Sequence, residues 1–402
     1  MMPVMSQKLR YVGLVFSILL AWTIIVLVIL GYQERNPLNI INPYLAGKKD
    51  NTTKATLHTG KIILTWTTWF RVDWPTPYGL LDCGQYQCQF TNNKSLYQVS
   101  DALLFHGADG SMNSPDVIPI EKRPARQLWA FQTMENPYVT RGPSILVDIK
   151  SFLDNLFNIM ITYTRQADLR RCYGRVVQNY TDLQVNHDYF KGKTKMIAWV
   201  GSGCYKGRLD FLHNLARLVP IDLYGKCGNL TCSKSGACWL KLSRKYKFYL
   251  SLENFICRDY VTEKLYFNAY QHNMIPIVVG GANYSDPTVA PPGSYINVQD
   301  FTTMQQLADH IKRVGSNATL YNSYFKWKAS YRTDLKSCDH SSSLCNLCRK
   351  LYDDKWVTSK MRRIPDLTHK WGTNEKNCID YNNVFVKNQT TGQIDIRSYS
   401  FN

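Results

Sequence analysis

The sequence predicts an α/β protein built as two halves and carried behind one N-terminal membrane-spanning helix. Three observations predict it. Residues 11–32 (YVGLVFSILLAWTIIVLVILGY) contain no charge. From residue 61 onward, short β-branched and aromatic runs alternate with helically spaced apolar residues. In the second half, strand, loop, helix and strand follow one another twice, the pattern of a parallel sheet.

The charge-free run would span ~33 Å as a helix, about one bilayer core. Lys8 and Arg10 precede it, so the positive-inside rule leaves residues 1–10 as a cytoplasmic tail and the rest lumenal. A cleaved signal peptide would have a shorter apolar core and a small-residue cleavage site, which GYQERNP does not offer. Residues 33–60 are polar, carry Pro and Gly and show no sustained apolar period, so they read as a stem.

Beyond the stem, KIILTWTTWF, SDALLFHG and RQLWAFQTMENP read as strands. SFLDNLFNIMITYTR begins with helical spacing through Phe152, Leu156 and Ile159, with Ser151 as cap. In the second half, KMIAWVGSGC, GRLDFLHNLARLV and IDLYGKCG form one βαβ unit. KFYLSLEN, a helix capped by Asp259, and MIPIVVGG form another. Residues 61–190 and 191–350 are the two expected domains, and 351–402 a C-terminal tail.

The chain carries seven N-x-[ST] sequons, at Asn51, Asn93, Asn179, Asn229, Asn283, Asn317 and Asn388, and twelve cysteines. Both suit the secretory pathway, where disulfides are the default state of cysteine. Cys338, His340, Cys345 and Cys348 are also zinc-ligand types, but the compartment favours a disulfide-tied segment. The formal net charge is +18. Behind a membrane anchor this points to anionic small molecules, acidic glycans or a membrane surface, and away from nucleic acid.

Two stretches carry candidate chemistry. Glu263 and Lys264 fall in the first turn of the helix after KFYLSLEN, where free N–H groups and a cation suit a phosphate. A capped helix with a plain surface ion pair fits the same pattern. The loop Gly201-Ser202-Gly203 with Arg208 repeats the theme, since an arginine can clamp a phosphate and glycine lets backbone approach it. GSG is not a full dinucleotide fingerprint, and a plain tight turn with a surface arginine fits the loop as well. No Asp-x-Asp occurs in the chain. Lysine and arginine would then replace a metal as counter-charge to a diphosphate.

Taken together, KFYLSLEN…RDYVTEKLYFNAYQHNMIPIVVGGANYSDPTVAPPGSYINVQDF resembles the donor-binding signature of the α-1,3-fucosyltransferases. The likeness extends through MENPYVT, TYTRQAD, KMIAWVGSGC and YNSYFKWK. It implies a GT-B arrangement, two Rossmann-like domains facing a cleft, in a single-pass type II Golgi membrane protein. It implies GDP-β-L-fucose as donor and an inverting transfer to the 3-hydroxyl of GlcNAc. Glu135 of MENPY then matches the catalytic carboxylate. Ser202, Arg208, Tyr224, Asn254, Tyr260, Glu263 and Lys264 fall in the donor site. No cofactor is required; Mn or Mg is at most a stimulant. Two residues depart from the family pattern: Gly203 stands where asparagine is common, and Phe255 where serine is.

TCSKSGACW and CNLCRKL are similar to invertebrate and plant members that fucosylate the innermost GlcNAc of N-glycans. Residues 66–90 and 106–140 are expected to set the acceptor, and the rings of WTTWFRVDWPTPYG suit either sugar stacking or core packing. Lewis-type antenna transfer, another sugar-nucleotide donor and a non-catalytic glycan-binding ectodomain are the competing readings.

Overall fold

The computed structural model describes residues 60–109, 120, 123–141, 153–179, 187–233, 236–372, 374 and 376–401. The expected tail and anchor, the stem before Gly60, the sequon at Asn51, and Ser151 and Phe152 of the expected helix lie outside the described residues.

The first half is a seven-strand sheet, among the described residues: β1 (Lys61–Thr65), β2 (Gly79–Cys83), β3 (Tyr86–Thr91), β4 (Ala102–His106), β5 (Leu128–Gln132), β6 (Ile159–Thr162) and β7 (Leu169–Arg170). Their order is β2-β3-β1-β4-β5-β6-β7, parallel except for the β2–β3 hairpin. Both faces are buried. Leu103, Phe105, Trp129 and Phe131 pack on one side, and Ala102, Leu104, Leu128 and Ala130 on the other. This explains the unbroken apolar runs, which are typical of parallel sheets. A short helix, α1 (Pro137–Arg141), follows β5.

Between the sheets, β8 (Arg175–Gln178) pairs with β15 (Tyr331–Asp334). The second sheet holds β9 (Lys195–Val200), β10 (Ile221–Tyr224), β11 (Tyr246–Leu252), β13 (Ile275–Val279) and β14 (Ile296–Asn297) in the order β10-β9-β11-β13-β14. Every pairing in it is parallel. That is a doubly wound order whose connections reverse between β9 and β11, and ligands of such sheets bind outside the carboxyl ends of the strands at that point. The helix α2 (Lys206–Ala216) buries Phe211, Leu212 and Leu215 against it. Two more helices, α3 (Gly236–Lys245) and α4 (Met304–Ser316), complete its two faces.

Two expected helices are corrected. Past Asn158 the segment drawn as a helix from Ser151 is strand β6, because Ile159 and Ile161 are buried on one face and Met160 on the other. Asp259 caps nothing. It sits at φ 58°, and the helix after it is a π-helix, Lys264–Tyr270, starting five residues later. The carboxylate of Asp259 instead accepts from the backbone N–H of Arg165 at 2.9 Å and pairs with the Arg165 side chain at 3.4 Å. It is a strut between the halves.

Residues beyond 335 return to both cores. Helix α5 (His340–Leu351) covers one face of the first sheet with Leu344, Leu347 and Leu351. Disulfides Cys83–Cys345 and Cys88–Cys348 staple it to the β2–β3 hairpin, and Cys172–Cys338 secures its approach. Strand β12 (Ile256–Cys257) pairs with β16 (Cys378–Ile379), joined by Cys257–Cys378. Cys204–Cys227 ties the loops after β9 and β10, and Cys232–Cys238 closes a short loop. All twelve cysteines, which are all described, are therefore paired, including the three weighed as zinc ligands.

Candidate active site between the two sheets

The loop after β5 carries Glu135, and the loop after β11 carries Glu253 and Asn254. They meet: Asn136 donates from Nδ2 to Asn254 Oδ1 at 2.7 Å. Phe255 strengthens the junction, its ring stacked on Tyr138 at 4.4 Å and against Tyr205 at 4.7 Å. The departure from serine at 255 is thus a packing contact across the halves.

Glu135 is partly buried, and its backbone N–H donates to Thr133 Oγ1 at 3.1 Å. Burial raises its carboxyl above the ordinary range; the nearby Lys264 cation works against that and the Glu263 carboxylate with it. The Tyr260 hydroxyl donates to Oε2 at 3.5 Å. Tyr260 is itself buried, packed on Tyr163 with ring centroids 4.7 Å apart, and burial keeps its phenol protonated. A carboxylate held by a phenol with its pKa moved toward neutrality has the properties of a general base.

Behind it lies a second carboxylate that the sequence reading did not place in the site. Glu253 is 1% exposed. It accepts from the Thr262 backbone N–H at 2.9 Å, from Thr262 Oγ1 and from Lys264 Nζ at 3.1 Å. Lys264 also donates to Thr262 Oγ1 at 2.7 Å and Glu263 Oε1 at 3.2 Å. Burial would lower its pKa, but Glu253 and Glu263 hold it above the ordinary lysine range. Its three N–H donors all have partners within the protein. Glu263 is the exchangeable one, since its side chain is 49% exposed. The signal for Glu253 was in the sequence, as a charge ending an otherwise apolar strand.

Arg208 differs. It is 3% exposed, on the first turn of α2. It donates through Nη1 to Leu252 O at 3.3 Å and through Nη2 to Gly203 O. Its Nε has no partner, and no carboxylate pairs with it among the described residues. It lies close enough to Lys264 for the two charges to act on each other. A Cβ at position 203 would stand 2.7 Å from the Tyr205 ring, so glycine there fits the packing that holds Arg208.

Two other expected residues stand apart from this cluster. Tyr224 is buried, with its hydroxyl 2.8 Å from that of Tyr246. Ser202 is exposed on the loop after β9. Tyr381, from the segment expected to be a tail, donates its hydroxyl to Glu253 O at 2.7 Å and holds that loop from below.

The same rim of the first sheet carries further polar groups. His106 ends β4 and Gln132 ends β5; both are fully buried, and their side-chain nitrogens and oxygen lack hydrogen-bond partners among the described residues. Trp69 stacks on His106 at 4.0 Å, and Phe70 meets it edge-on at 4.5 Å. Phe70 is 43% exposed and, with Arg71, lies at positive φ. Two consecutive non-glycine residues there mark a strained loop of the kind found at ligand sites. Trp74 is core, 4% exposed. No cluster of three or more His, Cys, Asp or Glu side chains that could hold a metal ion occurs among the described residues.

Glu135, at the end of a strand of the first sheet, lies within electrostatic reach of Lys264, which in turn lies within reach of the buried Arg208 guanidinium near the switch point of the second. A carboxylate base beside two cations suits group transfer from an anionic donor. Residues 58–174 match the model for the N-terminal part of fucosyltransferases, and residues 190–370 that for glycosyltransferase family 10 (fucosyltransferase), C-terminal. The chain is 32% identical over 368 residues to alpha-(1,3)-fucosyltransferase C of Drosophila melanogaster, covering 82% of each. It is 31% identical to glycoprotein 3-alpha-L-fucosyltransferase A of the same organism, over 71% of this chain and 54% of that one. It is 30% identical to 4-galactosyl-N-acetylglucosaminide 3-alpha-L-fucosyltransferase 9 of Mus musculus, over 76% and 84%. A solved alpha1,3-fucosyltransferase superposes with a TM-score of 0.47 at 16% identity, over 77% of this chain and 95% of that one. The protein belongs to glycosyltransferase family 10, the fucosyltransferases.

Proposed function

We propose that the protein transfers L-fucose from GDP-β-L-fucose to the 3-hydroxyl of a GlcNAc, with inversion. The observation that carries this is Arg208, a buried cation with an unpartnered Nε and no paired carboxylate among the described residues. Such a charge is costly unless a ligand anion completes it. The donor diphosphate supplies that anion, and Lys264 adds to it by exchanging Glu263 for a phosphate oxygen. Glu135 takes the proton from the acceptor hydroxyl as that oxygen attacks the anomeric carbon. The C–O bond to phosphate breaks, and GDP leaves with the electron pair. Charge gathers on the leaving diphosphate, where Arg208 stabilises it. Asn254 and Tyr260 position Glu135 and its loop; Ser202 and Tyr224 shape the donor loops after β9 and β10.

The acceptor reading is the innermost GlcNAc of N-glycans. It rests on TCSKSGACW and CNLCRKL, and antenna GlcNAc is the alternative. Trp69 and Phe70, packed over the buried His106, form the acceptor side of the rim in this reading. We further propose a Golgi membrane location with residues 11–32 as the anchor, and turnover that requires no metal. The deciding experiment incubates the full chain in detergent with GDP-fucose and a biantennary glycopeptide. Mass spectrometry of the product then fixes the linkage and the accepting residue. Transfer from a UDP- or CMP-sugar in place of GDP-fucose would refute the donor, and fucose on an antenna GlcNAc would refute the acceptor.

A further inference from the structure

Away from the transfer site, a cavity of about 410 Å³ opens beside the β8–β15 pair. Gln271 and Asn273 on its wall precede β13, whereas the transfer site lies past the other end of that strand, where Glu253 N–H donates to Val279 O. Five residues of strand separate the two by ~16 Å.

The wall is aromatic. Trp327 and Tyr270 pack with ring centroids 5.0 Å apart, and Tyr189 and Tyr331 continue the surface. Two cations stand among these rings. Lys328 Nζ lies 5.0 Å from the Trp327 centroid and 5.7 Å from that of Tyr189. Neither Lys328 nor Arg332 has an ion pair among the described residues, and no acidic residue is among those lining the cavity. The carboxylates nearest in sequence are engaged elsewhere: Asp188 accepts from Asn322, and Asp334 from Arg175 and Ser337. Burial of the Lys328 ammonium pulls its pKa down to about 8.

We propose that this cavity is a second binding site, for an acidic saccharide carrying a carboxylate or sulfate. The ring faces suit the apolar faces of a sugar, Gln271 and Asn273 its hydroxyls, and Lys328 with Arg332 its anionic group. The volume is in the range that holds a small ligand. Occupation supplies a counter-charge that Lys328 lacks among the described residues. The site stands independently of the transfer reading, since none of its residues belongs to the transfer site.

The test is calorimetric titration of the full chain in detergent with a sulfated disaccharide, a sialylated trisaccharide and the desulfated disaccharide. The sulfated or the sialylated probe binds, and the desulfated one binds at least tenfold more weakly. Which acidic probe binds tells sulfate from carboxylate. Arg332→Ala, at an exposed position, weakens binding at least fivefold, and Lys328→Gln with Arg332→Ala abolishes it. GDP-fucose consumption by Arg332→Ala stays at the unmodified level. Equal affinity for the acidic and neutral probes, or unchanged affinity in the Arg332→Ala protein, overturns the proposal. Inorganic sulfate binding as tightly as the disaccharide, or GDP displacing it, overturns the saccharide assignment.

Discussion

Replacing Lys264 by alanine tests the electrostatics of the transfer site. Its ammonium lies 3.1 Å from the Glu253 carboxylate, whose side chain is 1% exposed. At an effective dielectric of ~20, a pair at that distance is worth about 5 kcal/mol. Breaking a buried pair from one side costs about 3–5 kcal/mol, because the partner keeps its charge. At roughly 2 °C per kcal/mol for a large domain, the melting temperature falls by ~6–10 °C. The loss depends on pH. Burial already raises Glu253, and Lys264 opposes that rise, so without the lysine the folded-state pKa climbs further. A carboxyl whose folded pKa exceeds its unfolded value binds more protons when native, so stability falls as pH rises between the two. The deficit against the unmodified protein is therefore smallest near pH 4–5, around the unfolded glutamate pKa of ~4.3, and grows toward neutrality. Scanning fluorimetry at a fixed heating rate from pH 4.5 to 8 reads it. Lys264→Ala combined with Glu253→Gln recovers most of the stability, while GDP affinity stays about tenfold or more reduced, a lost charge-assisted contact. A double variant as unstable as the single one, or a deficit flat with pH, would refute the argument. Unchanged GDP affinity by calorimetry would remove Lys264 from the donor site.

Other substitutions probe separate parts of the structure. Glu135→Gln should lower kcat by at least ~100-fold and leave GDP-fucose affinity within about twofold, as for a lost general base; retained turnover would exclude Glu135 as the base. With burial raising the Glu135 carboxyl, kcat/KM should fall on the acid side at a pH above the usual glutamate range, and Lys264→Ala should push that limb higher. Arg208→Lys should weaken GDP binding by roughly 10–100-fold, since one ammonium cannot replace the guanidinium's several donors; equal affinity would contradict the phosphate role. The two staples of α5 should be strongly non-additive. Cys83–Cys345 and Cys88–Cys348 close loops of 262 and 260 residues, but with one intact the other closes a ring of only about ten. Removing either pair by alanine should then cost about 2–3 kcal/mol, and both about 7 kcal/mol by loop entropy, because Cys172–Cys338 already shortens the outer ring to roughly 100 residues. Equal and additive losses in denaturant unfolding would argue against that picture.

Much of the second half was legible because its signals are local. Short apolar runs such as KMIAWV and YKFYLSL, bounded by turn signals, suit strands covered on both faces, and the glycine loop and helix after KMIAWV follow from spacing. The Ser151 segment misled because Phe152, Leu156 and Ile159 have helical spacing, while Ile159 and Ile161 belong to a strand whose two faces are both covered. Asp259 misled because a carboxylate before an apolar period looks like a cap. Its real partner, Arg165, is 94 residues away and invisible to any local pattern.

What the sequence determined by itself was the class of the sheets and the residue types at the strand ends, which follow from side-chain period and loop chemistry acting over a few residues. Glu135 was singled out by the resemblance of MENPY to the family pattern, and Arg208, Glu263 and Lys264 by that resemblance together with their places after strand-end loops. What only the tertiary structure decided was how those groups meet: that Lys264 neutralises a buried Glu253, that Arg208 is left unmatched, and that Tyr260 reaches Glu135 from the other half. It also decided that the last 50 residues hold the site from behind, through Tyr381 under Glu253. The reason is physical. Charge compensation and burial depend on distances across the fold, and those are set by packing between segments that no local spacing connects.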